Sequence, residues 1–278
     1  MMLGITELTY TALIAFLIVI IIGPIFIPIL RKFKFGQTVR DDGPQTHLAK
    51  NGTPTMGGII MIVAILITGL TRVKVSHDMA VGLICIAGFG FIGFLDDFIK
   101  IKLKRSLGLK AYQKIILQVA LSFYVAFYQY TSSSSASQLM IPFTDFVINV
   151  GILYIPIMMF IIVAIVNAVN LTDGLDGLAS GVTLIVSVFF MLFASSIAGN
   201  TEVAVLAAAT VGACLGFLGF NSYPARVFMG DTGSMALGGA VVAFSVLTNS
   251  VLIIPIIGGI YFAEALSVLI QVGYFKAT

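Results

Sequence analysis

Residues 146–177 read FVINVGILYIPIMMFIIVAIVNAVNLTDGLDG: 27 residues without a charge, then a polar segment with two carboxylates and two glycines. A bilayer crossing takes about 20 mostly apolar residues, so this stretch specifies a membrane helix ending in an unusually polar turn. Further uncharged runs cover 8–30, 51–71, 79–95, 115–144, 177–201, 203–225 and 232–263. Only 10% of the 278 residues are charged and 59% are hydrophobic. A soluble domain carries roughly 25% charged residues, which excludes a soluble globular enzyme.

The runs are continuous and do not alternate, which predicts helices and not a barrel. Spans are expected at about 9–30, 53–71, 79–95, 115–131, 146–166, 178–198, 203–220, 235–248 and 251–272, an all-α polytopic bundle of nine. The last two come from dividing 232–275, whose only charge is Glu264. As one helix it would be about 66 Å long, twice the hydrocarbon core, so a turn is placed at Thr248-Asn249-Ser250. The residues before the first run include Glu7 and no Lys or Arg, which reads as a retained helix and not a secretory signal. Cys85 and Cys214 lie in apolar runs and imply no disulfide framework.

Lys and Arg concentrate in cytoplasmic loops. Thirteen of the fifteen fall in one set of loops, and Arg72 and Lys74 fall in the other. The N-terminus is therefore expected outside and the C-terminus inside. Asp41, Asp42, Asp96, Asp97, Asp173, Asp176 and Asp231 share the basic, cytoplasmic side, which is where function is sought. The external segment 131–140 reads as a solvated polar loop. With no basic tail and a net charge of +3, nucleic-acid binding has no support.

Four cytoplasmic segments carry chemistry. Asp96-Asp97 ends the third span, where adjacent carboxylates suit a cation, a cationic group or shared proton chemistry, although a helix end reaching into water gives the same pattern. Lys100, Lys102, Lys104 and Arg105 follow, suited to topology, to anionic membrane lipid or to a diphosphate. Residues 167–177 place amides, carboxylates and backbone-exposing glycines at the membrane edge, as a binding site or a capped turn would. In 221–234, Asp231 lies between glycines with Thr232 and Ser234 behind it, a hard-cation or phosphate site or else the N-cap of the eighth span. Phe228 nearby suits packing or stacking on a base. Lys50 to Gly58 is a Pro/Gly loop entering the second span, without the Walker spacing. Together these groups form the inventory for joining a nucleotide-linked substrate to a lipid, since phosphoryl transfer needs mainly positioning and charge stabilisation.

On Arg40-Asp41-Asp42-Gly43-Pro44 with His47, Lys50 to Gly58, Asp96-Asp97, Asn167 to Gly177 and Phe228 to Ser234, the sequence resembles the phospho-N-acetylmuramoyl-pentapeptide transferases. The acidic pair and the Asp231 region also resemble the wider polyprenyl-phosphate sugar-phosphate transferases. The resemblance implies transfer of phospho-MurNAc-pentapeptide from UDP-MurNAc-pentapeptide to undecaprenyl phosphate with Mg²⁺, giving lipid I and UMP at the inner membrane of a bacterium. It implies Mg²⁺ on Asp231 and a catalytic role for Asp96, Asp97 and Asp231. It further implies a nucleoside-diphosphate pocket of Lys50, Thr55, Asn170, Asp173, Gly174, Leu175, Asp176, Asn221 and Phe228, with Phe228 stacking on uracil. Lys100, Lys104 and Lys114 would act on the phosphates. The family has ten spans and a histidine-rich loop before the tenth, whereas this chain ends at Phe275-Lys276-Ala277-Thr278. The expectation is a single integral-membrane transferase domain over 1–278 that lacks that loop and the last span. A homodimer is left open. So are a polyprenyl-phosphate N-acetylhexosamine-1-phosphate transferase and a cation transporter, although a transporter normally places its carboxylates near mid-span.

Overall fold

The computed structural model describes residues 4–32, 52–105, 107–132, 137–144 and 146–277. Its helices are α1 (Ile5–Lys32), α2 (Gly58–Arg72), α3 (His77–Leu103), α4 (Ala111–Ser132), α5 (Tyr154–Leu171), α6 (Leu178–Ser196), α7 (Thr201–Asn221), α8 (Gly230–Leu247), α9 (Ile254–Ile257) and α10 (Gly259–Ala277). Each of the nine expected spans overlaps a helix, in whole or in part. Among the described residues, six helical segments are long and apolar enough to cross a membrane: α1, α3, α5 with the turn before it, α6, α7 and α8. The segment 251–257 and α10 meet at 80° and make a seventh if they form one span. Helix α2 has 15 residues, about 22 Å at the usual rise, and α4 is diluted by Gln113, Lys114, Gln118 and Gln129.

The boundaries differ from the sequence reading where the chemistry lies. Helix α3 runs eight residues past the expected end at 95, because the segment has no Gly or Pro to stop it and Lys100, Lys102 and Leu103 are good helix formers that outweigh the weak propensity of Asp96 and Asp97. Asp96, Asp97 and Lys100 therefore share one helical end. Helix α8 starts five residues early, so Gly230 to Ser234 form its first turn and not a loop before it. On the other side of the bundle, the expected span from 146 begins only at Tyr154. Val147–Asn149 instead pairs antiparallel with Gln138–Met140, so the supposed polar loop over 131–140 ends in a strand of a small hairpin. Leu139 of that hairpin is buried, while Phe143 and Phe146 are exposed.

Helix α8 is the axis of the bundle: every residue from Thr232 to Leu247 is buried. Small residues permit this, since apolar helices in a membrane associate by close van der Waals contact. A Cβ at Gly93 of α3 would lie 2.1 Å from the Asp231 carbonyl oxygen, so the two backbones meet at the base of the acidic pair. At the opposite end of the bundle, Ser76 caps α3 through the Met79 N–H and Asn200 caps α7 through the Val203 N–H. There Tyr128 donates to Asp78 at 2.7 Å, and Arg72 pairs with Glu7.

Candidate active site

Three helices deliver the charges, two of them consecutive and the third more than 100 residues further along the chain. Asp96, Asp97 and Lys100 come from the end of α3, Lys114 from the first turn of α4, and Asp231 from the first turn of α8, where the helix dipole favours an anion. The carboxylates of Asp96, Asp97 and Asp231 each offer an oxygen within 4.8 Å of the others. Asp96 and Asp97 are buried at 4% and 3% exposure, whereas the Asp231 side chain keeps 22%. Like charges this close are costly in a dry setting unless they are paired. Lys100 Nζ accordingly sits 2.6 Å from Asp96 Oδ2, 3.7 Å from Asp97 Oδ1 and 3.0 Å from Asp231 Oδ2. Lys114 Nζ lies 3.0 Å from the same Asp231 oxygen. Three carboxylates against two ammonium groups leave a formal charge of −1.

Backbone and amide groups fix each carboxylate. Asp97 Oδ2 accepts from the Thr232 N–H at 2.9 Å and the Thr232 hydroxyl at 2.7 Å, which ties α3 to the start of α8. Asp96 Oδ1 accepts from the Leu109 N–H at 2.9 Å. Asn170, at the end of α5, donates to Asp231 Oδ1 at 3.1 Å and to Ser234 Oγ at 2.7 Å, and accepts from Lys114 at 3.4 Å. Gly230 has φ +70°, and a Cβ there would meet Asp97 Oδ2 and Thr55 Oγ1, so glycine is required both by conformation and by space.

The loop entering α2 is joined to the segment before α8. The Phe228 N–H donates to the Pro54 carbonyl at 2.8 Å, and the Gly57 and Gly58 N–H groups donate to the Phe228 and Met229 carbonyls at 2.9 and 3.0 Å. Buried Thr55 is thereby brought beside Gly230, and Phe228 is held half-buried at the edge of the cluster. A second tie links the 172–177 turn to the end of α7. Asn221 is 2% exposed; its amide donates to the Val227 carbonyl at 3.0 Å and accepts from the Gly177 N–H at 3.1 Å. Asp176 accepts from the Ala225 N–H at 3.1 Å. Asp173, Gly174 and Leu175 form the rim of this turn, with Leu175 62% exposed.

The structure thus gathers Asp96, Asp97, Asp231, Lys100, Lys114 and Asn170 into one cluster, with Thr55 and Phe228 adjoining. Lys104 stands apart, exposed at the C-terminal cap of α3, and Lys50 lies outside the described residues. The hydroxyls of Thr232 and Ser234, which the sequence offers for a cation or phosphate, are engaged with Asp97 and Asn170. The Leu109 backbone, which holds Asp96, carries no sequence signal because any residue supplies an N–H.

The model of glycosyl transferase family 4 matches residues 79–249, and a phospho-N-acetylmuramoyl-pentapeptide-transferase signature matches residues 50–62. A phospho-N-acetylmuramoyl-pentapeptide-transferase of Alkaliphilus metalliredigens is 54% identical, over 98% of this chain and 85% of its own length. That of Desulfitobacterium hafniense is 50% identical over 96% of this chain and 83% of its own, and that of Clostridium novyi 49% identical over 96% and 82%. The matched segments take in the acidic pair, the Asp231 turn and the loop zipped to Phe228, and on this ground the chain belongs to the phospho-N-acetylmuramoyl-pentapeptide-transferases within glycosyl transferase family 4.

Proposed function

We propose that the protein transfers phospho-MurNAc-pentapeptide from UDP-MurNAc-pentapeptide to undecaprenyl phosphate, forming lipid I and UMP in peptidoglycan synthesis. The observation that carries this reading is the convergence of three carboxylates and two lysines at one end of a membrane bundle, in a chain of this family. That end also holds Arg31 and Lys32 at the close of α1. By the distribution of Lys and Arg it faces the cytoplasm, at the inner membrane of a bacterium, where a UDP-linked donor is soluble and the lipid phosphate lies at the surface.

In the reaction an oxygen of undecaprenyl phosphate forms a bond to the phosphorus that carries the sugar. The bond from that phosphorus to the oxygen of UMP breaks, and UMP leaves with the electron pair. Lys100 and Lys114 stabilise the charge that spreads over the phosphoryl oxygens, the largest contribution open to such a site. Asp96 and Asp97 face the lipid phosphate and take its proton or orient it. Phe228 stacks on uracil, with Thr55 and the 173–176 turn beside the donor. Asn221, engaged by Gly177 and Val227, acts by holding that turn in place.

Hard carboxylate oxygens with a residual negative charge fit Mg²⁺, which favours oxygen ligands and shares them with substrate phosphates. Asp231, the most exposed of the three, would hold the ion with Asp96 and Asp97 close by, and the ion would supply charge neutralisation on the diphosphate. A sibling enzyme using UDP-N-acetylhexosamine is not favoured, because the 50–62 signature belongs to the muramoyl-pentapeptide branch. The test is to incubate the purified protein with UDP-MurNAc-pentapeptide and undecaprenyl phosphate in micelles. UMP release and a lipid-extractable product are expected, both abolished by chelation and restored by Mg²⁺. Transfer from UDP-N-acetylhexosamine in preference would contradict the assignment.

A further inference from the structure

Asn167 opens the polar 167–177 segment, yet its side chain is bonded to the neighbouring helix. Its Nδ2 donates to Gln118 Oε1 of α4 at 2.7 Å, and Gln118 Nε2 donates back to Asn167 Oδ1 at 3.4 Å. Asn167 Nδ2 also donates to the Val163 carbonyl at 2.8 Å, and Gln118 is fully buried. Gln118 follows Lys114 by four residues and Asn167 precedes Asn170 by three, so the amide pair lies on the same two helix faces one turn deeper. Helices α4 and α5 thus carry two rungs. The upper rung, Lys114 with Asn170, reaches Asp231, and the lower is a reciprocal amide pair.

A reciprocal amide pair is demanding about register. Sliding α4 along α5 by one residue moves it 1.5 Å and turns it by about 100°, which separates both donors from both acceptors. Asn167 Nδ2 would keep the Val163 carbonyl, but the Gln118 amide and the Asn167 oxygen would lose the partners they have across the helices, and an unsatisfied buried amide is expensive. Lys114 needs such a constraint, because it lies in the first turn of α4, where a helix is held by fewest of its own hydrogen bonds.

We propose that Gln118 is a positioning residue for the transfer reaction: paired with Asn167, it fixes the register of α4 on α5 and so holds Lys114 and Asn170 on Asp231. The proposal rests on the reading that Lys114 serves the phosphates.

Gln118→Leu keeps the bulk and removes both bonds. Its kcat is expected to fall about 10- to 100-fold, as when a group orienting a functional ligand is lost, while KM for the UDP donor stays nearly unchanged. Gln118→Asn and Asn167→Gln should each lower kcat, and the double swap, which lets a short and a long amide span the same gap, should recover turnover above either single variant. The swap also conserves volume, so Gln118→Leu, which keeps the bulk without the bonds, is the comparison that separates pairing from packing. Register is read without catalysis by spin labels on Tyr112→Cys and Leu171→Cys, since native Cys85 and Cys214 are fully buried. The inter-label distance should broaden or shift in Gln118→Leu and be restored in the swap. If Gln118→Leu does not fold, the swap series decides. Normal kcat in Gln118→Leu, a swap no better than its singles, or an unmoved label distance would overturn the proposal. A register change in a protein whose wild type releases no UMP would instead overturn the functional reading and leave the register claim standing.

Discussion

Asp231 is the carboxylate on which the cluster converges, since it contacts Lys100, Lys114 and Asn170. Asp231→Asn keeps the shape but makes a poor ligand for a hard cation. Transfer is expected to drop by roughly 10²- to 10³-fold, on the scale of losing one electrostatic group of an active site, with thermal stability little changed. Turnover measured across a Mg²⁺ series checks this, and near-normal rates at ordinary Mg²⁺ would remove Asp231 from the metal. Phe228 is held at the cluster by backbone bonds to Pro54 and Gly57, so truncating its ring should leave the loop in place. Phe228→Ala is expected to weaken UDP-donor binding by about 1–3 kcal/mol if the ring stacks on the base, a change that calorimetric titration would read directly. At this scale the charged residues were legible in the sequence because charge is rare in an apolar chain. Gln118 was not: one amide in an amphipathic first half of α4 looks like a solvated residue until its partner is known.

Helix positions were legible from uncharged runs, and helix ends were not. Asp96, Asp97 and Lys100 broke the apolar run at 95 without breaking the helix, and Gly230 looked like a loop residue although it starts α8. The hairpin at 138–149 was missed because Val147 and Ile148 fit an apolar helix as readily as a strand, and only pairing with Leu139 and Met140 decides between them. The crossing of α3 and α8 is the element contact on which the site depends. Gly93→Ala would place a Cβ 2.1 Å from the Asp231 carbonyl and push the acidic pair away from Asp231. Overpacking of this kind costs about 1–3 kcal/mol, so a lower melting temperature in detergent is expected together with a large loss of turnover. Gly219→Ala, with nothing nearer its Cβ than 3.8 Å, should change neither.

Over the whole molecule the sequence specified an all-helical membrane bundle with its chemistry at one end, and what it withheld was the meeting of α3, α4, α5 and α8, which depends on contacts between distant residues. Orientation in the membrane is testable with the chain's own silence toward thiol reagents, since Cys85 and Cys214 are fully buried. Tyr223 and Phe143 are 85% and 84% exposed at opposite ends. A membrane-impermeant maleimide should label Phe143→Cys in intact cells and Tyr223→Cys only after permeabilisation, and the reverse pattern would place the cluster outside. The central claim is that carboxylates from separate helices form one transfer centre beside, and distinct from, the donor pocket. The most direct test measures UDP-donor affinity and turnover separately in Asp96→Asn and Asp97→Asn. Both variants are expected to keep donor affinity within a small factor and to lose at least about 10²-fold in turnover, the lower end of what a positioned acid or base contributes. Wild-type turnover in either variant would reduce that residue to a helix end, and lost donor binding would move the pair into the nucleotide pocket.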